Sequence, residues 1–507
     1  MSKRRPLLPP AFVRAVLSGH SLLGLSFAAI IYIVCLTGTL AVLERELEQW
    51  EQPDVPAMTQ ASGQAVRNAL GQAMARARGP VEHAYVYLPE PALPRLSVVI
   101  DDERGDTTWI ADDKGDLKAL AAHPWTEFLA QLHVNLHLPR SWGGFIVGLT
   151  GVALLSSLIS GILAHPRVLK DAFHFRRGGS LRLQEADLHN RLGVWALPFH
   201  VVVSLTGALL GLTTIIVGVL ALAVFQGDVS KAYALFMPPE PVRNQAPAPV
   251  PDVARALAET RRIAPASIPR FIGLEHPGER GAGILVYGLT PRNLGARDTF
   301  LFDREGTPVQ ARPAAASSVG EAIIGALGYL HFGWFGGLPL KIAYMLLGFS
   351  LTAVTSSGVT IWLARRRDKG RPAPHWERIW ATLVWGQPLL LSITALAALA
   401  MPVLAEGRLL IALWLGGTLL CPLAALLPTE PARIAARLRR GTAILLVLIA
   451  LLHLVSFGWS GLVAIGLDAL LVIAALLLTF GLPGLRAPRG AWISRFAGLR
   501  RTGEPVA

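Results

Sequence analysis

Apolar and polar positions alternate along this chain on the scale of whole helices. Uncharged stretches long enough to cross about 30 Å of hydrocarbon run from Ser21 to Leu43, Ser141 to Leu163, Leu192 to Phe225, Ile342 to Ala364, Ile379 to Ala405 and Leu409 to Thr429. A further run, Gly441 to Leu485, carries only Asp468 and is too long for one crossing. A break at Ser456-Phe457-Gly458-Trp459-Ser460-Gly461 divides it into a tight pair, so the pattern predicts eight membrane helices. Two polar stretches, Glu44 to Arg140 and Gln226 to Lys341, stand between them. Each begins with an amphipathic helical segment (Ala61 to Arg78; Asp252 to Arg262) and continues into strand-like runs (Ala84 to Leu88, Leu96 to Ile100, Thr107 to Ala111; Phe271 to Leu274, Gly283 to Leu289, Thr299 to Phe302). The third run of each ends in an acidic-glycine turn, Asp112-Asp113-Lys114-Gly115 and Asp303-Arg304-Glu305-Gly306, which is hairpin chemistry. Two small α+β domains outside the membrane are expected, the second reached through an extended proline-rich linker, Pro238 to Pro251.

Composition sharpens this picture. With 52% apolar and only 16% charged residues, and a mean hydropathy of +0.46, the chain is excluded from the soluble multidomain class. The net charge of +13 sits in short clusters beside the apolar runs: Lys3-Arg4-Arg5, the loop with Arg167, Lys170, Arg176, Arg177 and Arg182, Arg365-Arg366-Arg367, Arg433 to Arg440, and Arg486 to Arg501. With eight spans these fall on one side, which the positive-inside rule makes the cytoplasm. Both termini are then cytoplasmic, the partner is the lipid bilayer, and no nucleic acid is implied. The first run is too long for a signal peptide and is expected to be retained. The expected order is 1–43 (N-terminus and first span), 44–140 (first outer domain), 141–164 (second span), 165–191 (basic loop), 192–225 (third span), 226–341 (second outer domain), 342–364 (fourth span), 365–378 (loop), 379–485 (four further helices) and 486–507 (tail).

A repeat runs through the first four spans. His20 is followed by Gly24 and Thr37-Gly38, and His189 by Gly193 and Thr206-Gly207, at the same offsets. Leu132-His133 leads to Gly143-Gly144 and Ser160-Gly161, and Leu330-His331 to Gly336-Gly337 and Ser357-Gly358, one residue shorter. The unit is helix, outer domain, helix, used twice. Both copies cross in the same direction, so the pseudo-twofold axis lies along the membrane normal. Equivalent histidines then meet at equal depth, His20 with His189 near the cytoplasmic face and His133 with His331 near the outer face.

Two imidazoles presented by facing helices are what a haem iron requires. A lone interfacial histidine is usually an anchor, but four in duplicated positions point to two haems of b type. Cys35 and Cys421 offer no CxxCH for covalent attachment. His137, one turn after His133, and His200, three turns after His189, are reserve ligands; the counterpart of His200 in the first span is Ile31. Arg14, Arg191, Arg140 and Lys341 are candidate cations for propionates. His453 and Asp468, costly in lipid, are candidates to pair or to handle protons. No nucleotide-binding, flavin-binding or protease motif is present, so electrons have to come from a separate cytoplasmic reductase or from quinol.

His20 with Thr37-Gly38, Leu132-His133 with Gly161, Asp187-Leu188-His189 with Thr206-Gly207, and Leu330-His331 with Gly358 ahead of Trp362 and Arg365 resemble the PepSY-associated transmembrane proteins, over about residues 11 to 367. The resemblance implies a bacterial inner-membrane protein with PepSY-like periplasmic domains. Some members are di-haem reductases of ferric siderophores, which implies non-covalent b haems at His20, His189, His133 and His331. The expected activity is haem-dependent reduction of a periplasmic ferric siderophore or other ferric chelate, releasing iron. The alternatives are a membrane-anchored binding or regulatory protein without catalysis, and a permease for the iron complex.

Overall fold

The computed structural model describes residues 9–103, 105–164, 172–173, 181–233, 244–291, 295, 297–314, 319–401 and 407–480. The basic clusters at Lys3-Arg4-Arg5, Arg167 to Arg177 and Arg486 to Arg501 lie outside these residues, as does the start of the proline-rich linker.

The first apolar run is a bent pair of helices, not the single rod the hydropathy predicts. α1 (Pro10–Ser26) and α2 (Ala28–Ala41) meet at Phe27 with a bend of 67°. The third run breaks in the same way, α7 (Leu181–Trp195) meeting α8 (Leu197–Gly211) at Ala196 with a bend of 71°, and α9 (Thr213–Val224) continues it after a second break at Leu212. Each bend falls seven residues beyond the histidine, His20 or His189, that precedes it. In the second case Pro198 removes a helical N–H and disfavours helix at the residue before it; the first bends without a proline. An unbroken apolar run carries no mark of such a bend.

After α2 the chain forms α3 (Glu44–Glu51), α4 (Gly63–Arg76), β1 (His83–Tyr87), β2 (Leu96–Asp102), β3 (Gly105–Ala111), β4 (Leu117–Leu120), α5 (Pro124–Asn135) and α6 (Arg140–Ala164). The second half follows α9 with α10 (Val229–Tyr233), α11 (Val253–Ile263), β5 (Ile268–Glu275), β6 (Gly283–Leu289), β7 (Asp298–Phe302), β8 (Pro308–Arg312), α12 (Val319–Phe332) and α13 (Gly337–Asp368). The last helices are α14 (Pro374–Ala400), α15 (Gly407–Leu420), α16 (Pro431–Phe457) and α17 (Leu462–Phe480). The break between α16 and α17 falls where the sequence placed it, with Gly458 and Gly461 at φ of 62° and 101°. Among the described residues six helices are long and apolar enough to cross a membrane, or up to eight if each bent pair is one span.

The outer segments do not form two separate domains. Their eight strands make one antiparallel sheet in the order β4-β3-β2-β1-β5-β6-β7-β8, joined where β1 pairs with β5 around Tyr85 and Gly273. Separate four-stranded meanders would leave β1 and β5 as open edges; pairing them satisfies both rows of backbone groups. The two expected turns are present, with Gly115 and Gly306 at positive φ and each turn's glycine N–H donating to the carbonyl of Asp112 or Asp303. One sheet face, with Val86, Val98, Ile272, Leu274, Val286 and Phe300 fully buried, packs on α4 and α11. The other face roofs a large cavity whose floor includes α2, α3, α13 and the C-terminal helices.

The C-terminal helices are tied to the rest through α3. His453, fully buried, pairs with Asp468 at 2.9 Å through Nδ1, and its Nε2 lies 2.9 Å from the Trp50 carbonyl. Trp50 donates its indole N–H to the same carboxylate at 2.9 Å and stacks on the imidazole at 4.7 Å. His453 and Asp468 thus form the pair the sequence suggested, with a third member no local pattern reveals.

Candidate functional site

The duplicated Ser-Gly and Thr-Gly dipeptides are seats for the histidines. His20 on α1 places Nδ1 2.9 Å from the Ser157 carbonyl of α6, and a Cβ on Gly161 would touch its Cε1 at 3.4 Å. His189 on α7 places Nδ1 3.0 Å from the Ser357 hydroxyl of α13, with Gly358 again at 3.4 Å. His133 on α5 reaches the Val34 carbonyl of α2 at 3.0 Å, and its ring fills the space a side chain on Gly38 would need, 2.4 Å from Cε1. His331 on α12 reaches the Thr206 hydroxyl of α8 at 3.0 Å over Gly207, where a Cβ would lie 2.8 Å from Cε1. In each half, the first helix offers the seat for the later histidine and the last helix the seat for the earlier one.

These bonds fix the tautomers. Carbonyl oxygens only accept, so Nδ1 of His20 and His133 donates. The Ser357 and Thr206 hydroxyl protons are spent on Val354 and Val202, so those oxygens accept as well. All four neutral rings carry their proton on Nδ1 and leave the Nε2 lone pair for a metal, the usual outer support of a ligating histidine.

The outer pair meets directly: the His133 and His331 ring centres are 6.1 Å apart with planes 21° from parallel. His20 and His189 hold corresponding positions on α1 and α7, each seven residues before a bend. Gly24 and Gly193, one turn after these two, are half-buried, yet a Cβ on either meets nothing within 4 Å, so an open gap lies beside the inner pair. The two levels are well separated. Along α6, Gly143 packs on the end of α5 and Ser160 on His20, and seventeen residues at 1.5 Å each give about 25 Å.

This arrangement fits haem. The 6.1 Å between the His133 and His331 ring centres leaves room for a metal ion between the two imidazoles. Neutral imidazoles with buried outer partners are the donor set of a bis-histidine iron.

The reserve ligands His137 and His200 have ring contacts of their own. His137 takes a left-handed backbone, φ 56°, stacks its ring on Phe128 at 4.7 Å and keeps its Nε2 buried without a hydrogen bond. His200 is fully buried, with the Leu347 backbone and the Phe199 ring beside its imidazole. Lys341, expected near a propionate, is committed to Glu46, both carboxylate oxygens lying 2.7 Å from Nζ. Gly143 answers to helix packing, since a Cβ there would strike the Asn135 backbone, and Gly337 to a positive φ of 59°.

Sequence reading missed what holds α5 in place. Glu51, at the end of α3, accepts from the Trp125 and Thr126 amides at 2.9 and 2.7 Å and from the Thr126 hydroxyl at 2.5 Å, capping the helix that carries His133. Burial pushes this carboxyl up to about 7, against the hydrogen bonds that favour its charged form. A cap so distant in sequence leaves no local motif.

The model of the PepSY-associated TM region matches residues 17–365. A Pseudomonas aeruginosa protein, "Uncharacterized protein PA4219", is 29% identical over 257 residues, 48% of this chain. The matched stretch spans 64% of that relative's length.

Proposed function

The chain belongs to the PepSY-associated TM family, and on that premise we propose that it is an inner-membrane di-haem b oxidoreductase passing electrons from the cytoplasmic side to a periplasmic ferric chelate, such as a siderophore complex. The observation that carries this reading is the meeting of His133 and His331, which come from different halves of the chain and are seated alike over glycine. In this reading the halves are two copies of one unit, each bent pair is a single span, and eight spans put both termini and the basic loops in the cytoplasm.

His20 and His189 would hold the inner haem, and His133 and His331 the outer one. A bound b-type haem supplies reversible one-electron chemistry at iron. The chain's own residues do the rest. The Nδ1 bonds hold each imidazole neutral and aimed, the helix bundle keeps water from both levels, and the break at Phe27 or Ala196 lets one span serve both a low histidine and a high seat. With haem bound, electrons from a cytoplasmic reductase or from quinol would enter at the inner level and leave at the outer level, beneath the sheet. Reduction of Fe(III) to Fe(II) replaces a hard ion by a softer one and loosens oxygen chelators. The roofed cavity also favours a second reading, a binding protein without catalysis, which predicts no haem.

The test is directional. Protein reconstituted in vesicles and reduced from the cytoplasmic side is expected to be reoxidised by a ferric siderophore added outside. Rapid reoxidation by a quinone, with none by the ferric chelate, would replace this reading with a quinone-linked one.

A further inference from the structure

The cavity-facing side of the sheet is chemically divided. At the β1–β5 junction one cross-strand row reads Asp106, Asp101, His83, Glu275 on four successive strands. Two rows away the same junction reads Ser97, Tyr87, Phe271, Tyr287. Side chains directly opposite one another share a face, so one end of this surface is acidic with an imidazole at its centre and the other is aromatic. Tyr85 links them, its ring 5.9 Å from that of His83 and 5.6 Å from that of Phe271.

The row sets three carboxylates against one imidazole. Asp101 and Asp106 are directly opposite, and like charges in that position repel. His83 faces carboxylates through both ring nitrogens, Nδ1 at 3.3 Å from Asp101 and Nε2 at 3.0 Å from Glu275, while a neutral imidazole has one proton to give. Glu82, His83 and Asp101 each bring a donor atom within 4.8 Å of the others. A second imidazole stands at the margin. His276 takes φ 45°, a left-handed backbone uncommon for a residue with a side chain, donates its N–H to the Glu82 carbonyl at 2.7 Å, and brings its ring centre to 6.4 Å from that of His83.

We propose that this row, with Glu82 and His276 beside it, binds a divalent first-row transition cation, which in the reaction above is the Fe(II) set free from the chelate. Imidazole with carboxylate is a donor set for Fe(II), Mn(II) and Zn(II), while a chelator built for Fe(III) loses hold of iron once one electron has been added. The cation offsets the facing carboxylates and takes the position of the shared proton on His83. That the cation is Fe(II) rests on the reductase reading; the site itself does not.

The full chain, purified in detergent with whatever haem it holds, is titrated with Co(II) as a coloured probe and anaerobically with Fe(II). One cation per chain is expected, and His83→Gln or Asp101→Asn should each weaken binding at least about tenfold. Both variants are expected to keep the parent's haem content and size-exclusion profile. Binding that is absent, or unchanged in the His83→Gln/Asp101→Asn double variant, overturns the site. Cation binding by these residues in a protein that carries no haem leaves the site standing and removes the reductase reading.

Discussion

Gly38→Ala perturbs the outer histidine through a single added carbon. That carbon lies 2.4 Å from Cε1 and 2.8 Å from Nδ1 of His133, whereas ordinary contact begins at 3.4 Å, so the ring must withdraw by about 1 Å. The 3.0 Å bond from Nδ1 to the Val34 carbonyl is then lost. A displacement of about 1 Å is several times the roughly 0.2 Å within which metal–ligand distances are held. Overpacking of this kind costs about 1–3 kcal/mol. The α2 helix is not weakened, because Ala in a helix interior is favoured over Gly by roughly 0.5–1 kcal/mol. Gly161→Ala and Gly358→Ala are the controls, since their added carbons make ordinary contact, 3.4 Å from His20 and His189. Gly207→Ala, at 2.8 Å from His331, is intermediate. Haem content by pyridine haemochrome, with spectra of oxidised and reduced protein, is expected to show loss of one haem in Gly38→Ala, partial loss in Gly207→Ala and full content in both controls. Full content with an unchanged spectrum in Gly38→Ala, together with loss in Gly161→Ala, would refute the seating argument.

Three further outcomes follow from buried polar groups. Asp468→Ala strands the His453 imidazole and the Trp50 indole N–H, and should lower stability in detergent by about 3 kcal/mol, with much less change for Asp468→Asn, as read by thermal unfolding. His200→Leu replaces a fully buried imidazole by an apolar side chain, so an equal or higher Tm with unchanged haem content is expected; loss of a haem would make His200 a ligand. The folded-state pKa of Glu51 stands above its ordinary value of 4.5, so its protonation favours the folded state at low pH and that contribution is lost as pH rises through about 7. The Tm of wild type relative to Glu51→Gln should therefore fall between pH 4.5 and 7.5, and a pH-independent difference would show that this carboxyl does not titrate there.

The sequence carried the histidines and their glycines because a repeated spacing is visible without a structure. The offsets that relate His20 to Thr37-Gly38 and His189 to Thr206-Gly207 also proved to mark the seats, although their use for holding rings is a tertiary fact. The turns at Gly115 and Gly306 and the break before α17 were legible because positive φ and chain reversal restrict residue choice locally. The pairing of β1 with β5 was not, since an edge strand has no residue code for what will cover it. The edge strands Leu117–Leu120 and Pro308–Arg312 were missed because polar residues interrupt them, Lys118 in one and Gln310 and Arg312 in the other, and leave no apolar run. The helices carrying His133 and His331 were hidden inside segments read as outer domain, because what marks them off is direct packing on α2 and α8, partners distant in sequence.

The most direct test of the account is haem stoichiometry in a set of paired variants. Wild type is expected to hold two haems per chain, and His20→Ala, His189→Ala, His133→Ala and His331→Ala one each. The His133→Ala/His331→Ala double variant should still hold one, because both ligands serve the same iron, while His20→Ala/His133→Ala should hold none. A wild-type protein without haem, or a His133→Ala/His331→Ala variant that loses both haems while His20→Ala/His133→Ala keeps one, would contradict it.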